Sequence, residues 1–315
     1  MGNALRIGTR GSRLAMTQTE WVVSRLRAAH PALEVRVEVF RTAGDRDRAT
    51  PLARLPGAGF FVKELEAALL DGRIDLAVHS MKDVPTQVPE GLDVGATVPE
   101  RADTRDGLVT VEGLALADLP PGATVGSSSP RRRAMLLAAR PDLEFVDLRG
   151  NVGTRLEKLV SGVCRATVLA MAGLGRLGLL DGRMRPLEAD VMMPAAGQGA
   201  LALECRRADE PVCRLVAALD HPPSRRAVAA ERALVRRLGA GCRTPLGVLG
   251  RVGAAGDLRL EAWLLAPDGR DAIRRSLAGS AAEAAAVGTA LAEALLADGA
   301  ARLLAPAGGE HADDD

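Results

Sequence analysis

Ile74-Asp75-Leu76-Ala77-Val78-His79-Ser80-Met81-Lys82-Asp83-Val84-Pro85 changes character half-way along. Ile74 to Val78 alternates and reads as a buried strand. From His79 the chain turns polar, and Pro85 and Pro89 close the segment. A carboxylate beside a cation at the carboxyl end of a strand stands where open α/β sheets bind ligands, so Asp83 is the first candidate for chemistry. A solvated Lys82–Asp83 pair in a turn is the plainer reading, and it describes most charged loops. The rest of the chain has to separate the two.

Upstream, Leu5 to Thr9 reads as a strand, about Leu14 to Ala29 as a helix ended by His30-Pro31, and Val35 to Val39 as a second strand. Strand, helix, strand predicts a βαβ opening and a parallel sheet. Arg41 to Gly59, rich in Gly, Pro, Asp and Arg, reads as a long mobile loop of the kind that forms lids. A helix from Val62 to Leu70 leads into the quoted strand. Downstream, the polar run Pro99 to Asp106 reads as a crossover, after which the pattern repeats. Strand Ala123–Val125, turn Gly126–Ser129 and helix Pro130–Ala139 are followed by strand Leu143–Asp147, loop Leu148–Gly153, helix Thr154–Val160, strand Thr167–Ala170 and loop Gly173–Arg176. Pro194 to Gly199 reads as a second crossover, with Ala200 to Glu204 a strand returning to the first unit. Two crossovers between two α/β lobes are the plan of a hinged cleft. Beyond His221 the sequence predicts a long helix Ser224–Leu238, three strands (Val248–Val252, Leu258–Leu265, about Ile273–Leu277) and a last helix Ala281–Leu296. The expected organisation is a first domain from 1–99 and 200–217, a second from 105–193, a small α+β third domain from 222–307, and a disordered tail, 308–315.

Composition removes several function classes. A formal charge of +1 with 2% aromatic residues and no Tyr argues against a nucleic-acid partner. No apolar run is long enough to span a bilayer, and the first residues carry no apolar signal region. Cys164, Cys205, Cys213 and Cys242 form no C-x-x-C pair and no zinc spacing, so no metal is expected. A cytoplasmic protein in a reducing compartment, and a monomer, is the expectation.

The loops can do specific chemistry. In Gly126-Ser127-Ser128-Ser129-Pro130-Arg131-Arg132-Arg133, backbone N–H groups, hydroxyls and guanidiniums gather at a helix start. Basic residues there oppose the helix dipole, a local conflict that points to anion binding. Arg10, Arg149, Arg155 and Arg176 stand at other predicted strand ends. Together they suggest a polyanion, either phosphate or carboxylate; no P-loop and no dinucleotide fingerprint favours phosphate. His79 reads as structural. Asp83 is left as the acid–base candidate, its acidity tunable by burial against cations. Cys242, in Gly239-Ala240-Gly241-Cys242-Arg243-Thr244-Pro245, is the one cysteine in an exposed turn beside a cation, whereas the other three read as inert core thiols.

From Arg6 to about Leu304 the chain resembles the porphobilinogen deaminase (hydroxymethylbilane synthase) family. The motifs that carry the resemblance occur in order: Arg6 to Ser12, Phe61 to Glu66, Ala77 to Pro85, Gly126 to Ser129, Leu148 to Arg155, Ala172 to Leu174, Arg176 to Gly178, Pro194 to Gly199 and Gly241-Cys242. The resemblance implies two lobes like periplasmic binding proteins, with a third domain carrying a dipyrromethane cofactor joined by a thioether to Cys242. It implies a transferase that condenses four porphobilinogen molecules head to tail, releases ammonia each time, and frees hydroxymethylbilane by hydrolysis. Asp83 matches the catalytic carboxylate. Lys82, Ser127, Ser128, Ser129, Arg131, Arg132 and Arg155 match cofactor-side positions, and Arg10, Ser12, Arg149, Arg176 and Gln198 match substrate-side ones. Each pyrrole carries two carboxylates, so a growing chain needs such cations. Ala58 stands where many relatives have a lid lysine, Ser127 where Thr is commoner, Gly175 where a basic residue is frequent, and Ala240 where Gly is usual. A non-catalytic solute-binding or effector-sensing protein of the same two-lobe plan is the rival reading.

Overall fold

The computed structural model describes residues 4–42, 62–241 and 243–304. The predicted lid, Ala58, Cys242 and the tail lie outside the described residues. In chain order the first unit holds β1 (Leu5–Arg10), α1 (Arg13–Ala29), β2 (Val35–Phe40), α2 (Lys63–Leu70), β3 (Leu76–Ser80), a 3-10 turn (Met81–Asp83) and β4 (Leu92–Asp93). The second holds β5 (Asp106–Thr110), β6 (Thr124–Gly126), α3 (Pro130–Ala139), β7 (Glu144–Val146), α4 (Val152–Val160), β8 (Ala166–Ala170), α5 (Met171–Arg176) and β9 (Met184–Leu187). The chain then returns through β10 (Leu201–Arg206) and α6 (Glu210–Ala217). It continues into α7 (Pro222–Leu238), β11 (Leu246–Val252), β12 (Asp257–Leu265), β13 (Ala272–Ser280) and α8 (Ala284–Ala297).

These elements make two five-stranded sheets, ordered β2-β1-β3-β10-β4 and β7-β6-β8-β5-β9, and a three-stranded antiparallel sheet, β11-β12-β13. The βαβ opening gives parallel pairs, β1 with β2 and with β3, as its periodicity predicts. The sheets are nevertheless mixed. β10 runs antiparallel to β3 and β4, and β5 runs antiparallel to β8 and β9. The strands next to the crossovers enter against the direction that a βα repeat sets. Two local expectations are also corrected. Asp106 does not end a polar crossover; it is the fully buried first residue of β5. Gly173 to Arg176 is helical rather than a loop, because Met171, Ala172 and Leu174 are buried and Gly173 brings the helix close to Leu14. Tertiary packing there outweighs the low helix propensity of two glycines.

Helix α1 shows why the lobe packs. Ala15, Thr19, Val22, Val23 and Leu26 form its buried stripe, and a fully buried Val or Leu contributes roughly 1.5–3 kcal/mol. That stripe meets Leu5, Ile7, Leu76 and Val78 from the sheet. Ser12 caps the helix, its Oγ accepting from the Ala15 N–H at 3.2 Å.

The crossovers lie side by side, and one residue bonds to both. Buried Glu231, on α7, accepts two hydrogen bonds from the Arg101 guanidinium, at 2.7 and 3.0 Å. It accepts two more from the Gly197 and Gly250 N–H groups, at 2.7 and 2.8 Å. One carboxylate therefore ties both crossovers to the third sheet. Gly199, at φ 86°, lies where a Cβ would come within 2.5 Å of the Ala102 carbonyl oxygen, so close approach of the two crossovers requires glycine.

Candidate active site

The loop ends meet between the sheets. Asp83 closes the 3-10 turn after β3 and is exposed. The burial expected to tune it is absent; cations surround it instead. With Arg10, Ser12, Gln18, His79 and Ser80 it lines a cavity of about 60 Å³. Gln18 and Ser80 were not picked out from the sequence. The Gln18 amide donates to the Ser80 hydroxyl at 3.0 Å, and a polar residue on the buried stripe of α1 was the available signal.

Lys82 donates from Nζ to Gln198 Oε1 at 3.2 Å. Burial, then the nearby Arg132, pushes its ammonium down to about 8, while Asp83 and Asp106 act in the opposite sense. Gln198 is fully buried, and its Nε2 donates to the Thr104 carbonyl. Both ends of that side chain are thus engaged beneath Lys82.

The turn after β6 is arranged by its serines. The Ser129 N–H donates to Ser127 Oγ at 3.2 Å, and Ser129 Oγ caps α3 by accepting from the Arg132 N–H at 3.4 Å. Arg131 and Arg132 are buried rather than solvated. Each donates to one oxygen of Asp106, at 2.7 and 2.6 Å, and to a backbone carbonyl, of Met193 and Val168 respectively. The two guanidiniums hold the Asp106 carboxyl well below the usual carboxylate range despite its burial. One carboxylate against two cations leaves a net positive charge. Arg132 Nε and Ser128 Oγ are buried with no hydrogen-bond partner among the described residues. These unmet donors, beside Lys82, fit a ligand bearing carboxylates.

Arg155 donates from Nε to the Gly150 carbonyl at 2.9 Å. Burial pushes it down to about 10; Arg132 and Arg149 act the same way and Asp83 opposes them, so Arg155 senses all three charges. Arg176, also lowered to about 10 by burial, donates to the Gly199 carbonyl at 2.8 Å, at the second crossover. The structure thus brings Asp83, Lys82, Arg131, Arg132, Arg149 and Arg155 into one electrostatic neighbourhood, while Arg10 and Ser12 line its cavity. Cys242 lies outside the described residues. On either side of it, Gly241 and Thr244 exchange two hydrogen bonds, at 3.0 and 3.2 Å. Among the described residues no cluster of His, Cys, Asp or Glu could hold a metal ion, and no helix is long and apolar enough to cross a membrane.

Residues 5–214 match the family model described as porphobilinogen deaminase, dipyromethane cofactor binding domain, and residues 226–297 match the porphobilinogen deaminase C-terminal domain. The chain belongs to the porphobilinogen deaminase family. It is 50% identical to the porphobilinogen deaminase of Syntrophotalea carbinolica over 303 residues, covering 96% of each chain. It is 49% identical to that of Roseiflexus castenholzii over 305 residues, covering 97% of this chain and all of the relative. Among solved structures it is similar to the periplasmic aliphatic sulphonate binding protein SsuA from Escherichia coli. That likeness has 18% identity and a TM-score of 0.40, covering 75% of this chain and 70% of that one. Ser128 and Arg132, whose Oγ and Nε have no partner among the described residues, both fall within the stretch that matches the dipyromethane cofactor binding domain.

Proposed function

We propose that this chain is a hydroxymethylbilane synthase. It condenses four porphobilinogen molecules head to tail with release of ammonia, then frees the linear tetrapyrrole by hydrolysis. The observation that carries the reading is the meeting of an exposed carboxylate, Asp83, with partly unmet cations from the facing lobe. Dipyrromethane, when bound through Cys242, supplies a tethered pyrrole chain end for elongation. Around it Lys82, Ser127, Ser128, Ser129, Arg131, Arg132 and Arg155 hold cofactor carboxylates. Arg10, Ser12, Arg149, Arg176 and Gln198 serve the incoming pyrrole, Gln198 by fixing Lys82 through its amide. Asp83 balances positive charge on the reacting pyrrole nitrogens and accepts the proton lost when the ring regains aromaticity.

On this reading the chain divides into 1–99 and 200–217 as the catalytic lobe, 105–193 as the anion-binding lobe and 222–307 as the attachment domain. The free thiols Cys164, Cys205 and Cys213 suit a cytoplasmic enzyme. The exposed large apolar side chains are mostly scattered, as suits a monomer, which light scattering on a sizing column will test. The intact mass of active protein tests the central claim. A covalent adduct on Cys242 that colours with an acidic aldehyde reagent is expected; active protein with an unmodified thiol refutes it.

A further inference from the structure

Behind the cavity that Asp83 lines is a buried acid–base cluster that the reading above leaves without a role. His79, the penultimate residue of β3, lines the same cavity and is almost fully buried. Its Nε2 lies 3.0 Å from Glu204 Oε2 on the neighbouring β10. The register pairs Ala202 with His79, so Glu204 sits two residues along on the same face, within diagonal reach. Glu204 is wholly buried, and its other oxygen, Oε1, has no hydrogen-bond partner among the described residues. A third group, Glu66 on α2, is also buried, and burial together with the Glu204 charge pushes it up to about 7, opposed by His79 and Lys63. Arg232 of α7 faces Glu204 electrostatically while binding the Val84 and Pro85 carbonyls just after Asp83. Arg10 and Asp83 line the same cavity as His79.

A buried carboxylate with one oxygen unpaired is costly unless a proton or cation approaches it. With Glu204 ionised, Nε2 must donate to it. Nδ1 is then left as a lone pair, and His79 makes no other hydrogen bond among the described residues. The cavity is large enough for a bridging water.

We propose that His79, oriented by Glu204, is a proton acceptor that recharges Asp83 between successive condensations. This rests on the synthase reading. Joining an aminomethylpyrrole in its ammonium form to a free pyrrole α-carbon forms one C–C bond and breaks one C–N and one C–H bond. The products are the joined pyrroles, ammonia and one proton. The C–H electron pair returns to the ring, and the proton goes to the Asp83 carboxylate. A pyrrole seated over Asp83 covers its solvent side, so the proton leaves through the cavity to His79 Nδ1. The imidazolium is offset by Glu204. The proton departs with ammonia as ammonium when the cleft next opens, and Asp83 is again ionised for the following ring. His79 thus acts through Asp83 rather than on the substrate.

Three measurements test this. ¹⁵N NMR of histidine-labelled protein is expected to show His79 as the Nε2–H tautomer at pH 8; the Nδ1–H tautomer overturns the proposal. His79→Gln keeps an N–H for Glu204 but removes the base. Its first condensation on loaded enzyme is expected to stay near the wild-type rate, while steady-state turnover falls about tenfold or more. Unchanged steady-state turnover and pH profile mean that the pair only ties two strands together, and overturn the relay. Should that variant not fold, Glu204→Gln decides: a weaker imidazole base moves the acidic limb of the turnover profile to lower pH, and an unmoved limb refutes the proposal. Wild-type protein that makes no hydroxymethylbilane from porphobilinogen defeats the synthase reading, whereas the tautomer result judges the His79–Glu204 pair separately.

Discussion

The turn after β3 and the turn after β6 are the same device, a strand running into a helical turn, put to different electrostatic use. The first leaves Asp83 exposed, with the adjoining Lys82 fixed by a neutral amide. The second buries Arg131 and Arg132 and gives them a carboxylate of their own, Asp106, which cancels half their charge. The cations on one side are thus held in place before any ligand arrives, and one guanidinium nitrogen remains for a ligand. The carboxylate on the other side is left accessible to substrate. A site that must hold polyanions without collapsing onto its own acid separates the two functions between lobes.

Breaking that separation has graded effects. Asp83→Asn removes the accessible carboxylate and leaves the cation side untouched. Turnover is expected to fall by about 10²-fold or more while cofactor loading, read by mass, persists. Loss of loading as well would mean that the two sides are not separable. Asp106→Ala attacks the other side and strands two buried guanidiniums, so a loss of about 3–5 kcal/mol is expected in denaturant unfolding. The native Asp106 carboxyl is held below its unfolded range, so its contribution is present above that range and is lost as pH falls through the lowered native value. Wild type and variant should therefore converge in strong acid.

A smaller effect belongs to Lys82. It is charged below about 8 and neutral above, so the rate at which apoprotein loads cofactor from porphobilinogen should drop as pH rises through that value. Lys82→Gln should load slowly at pH 7 and show no such drop; a drop that persists assigns the titration elsewhere. Smallest is Glu66→Gln. The folded value of about 7 lies above the unfolded one, so native Glu66 binds the extra proton between them and stability falls with pH across that window. The variant should melt a few degrees higher than wild type at pH 8 and about equally at pH 4, by calorimetry.

Much of this was legible in the sequence. The βαβ opening, α3 with its proline start, and the long α7 all follow from periodicity and caps, and the loop-tip residues around Asp83 do converge. What escaped was set by distant partners. Asp106 looked like part of a charged crossover because nothing local shows that Arg131 and Arg132 lie across the sheet from it. β9, four residues with Pro186 inside, carries too little pattern to be seen. His79 and Glu204 are 125 residues apart and become neighbours only because β10 comes back antiparallel. The Gly173 and Gly175 pair suggested a loop, but the segment is helical, with Met171, Ala172 and Leu174 buried.

Glu231 gives the molecule a fixed pivot. Both crossovers and the third sheet are bonded to its one carboxylate, so a rotation of one lobe against the other that kept those bonds would turn about that point. From there α7 runs seven residues to Leu238, a rigid arm of roughly 10 Å. Under such a rotation the turn that begins at Gly239, three residues before Cys242, would keep a constant radius from that point. On the proposed synthase reading, a product anchored at the end of that arm would be measured outward from a stationary origin, so its length, and not the angle of the lobes, would fix where its free end stands.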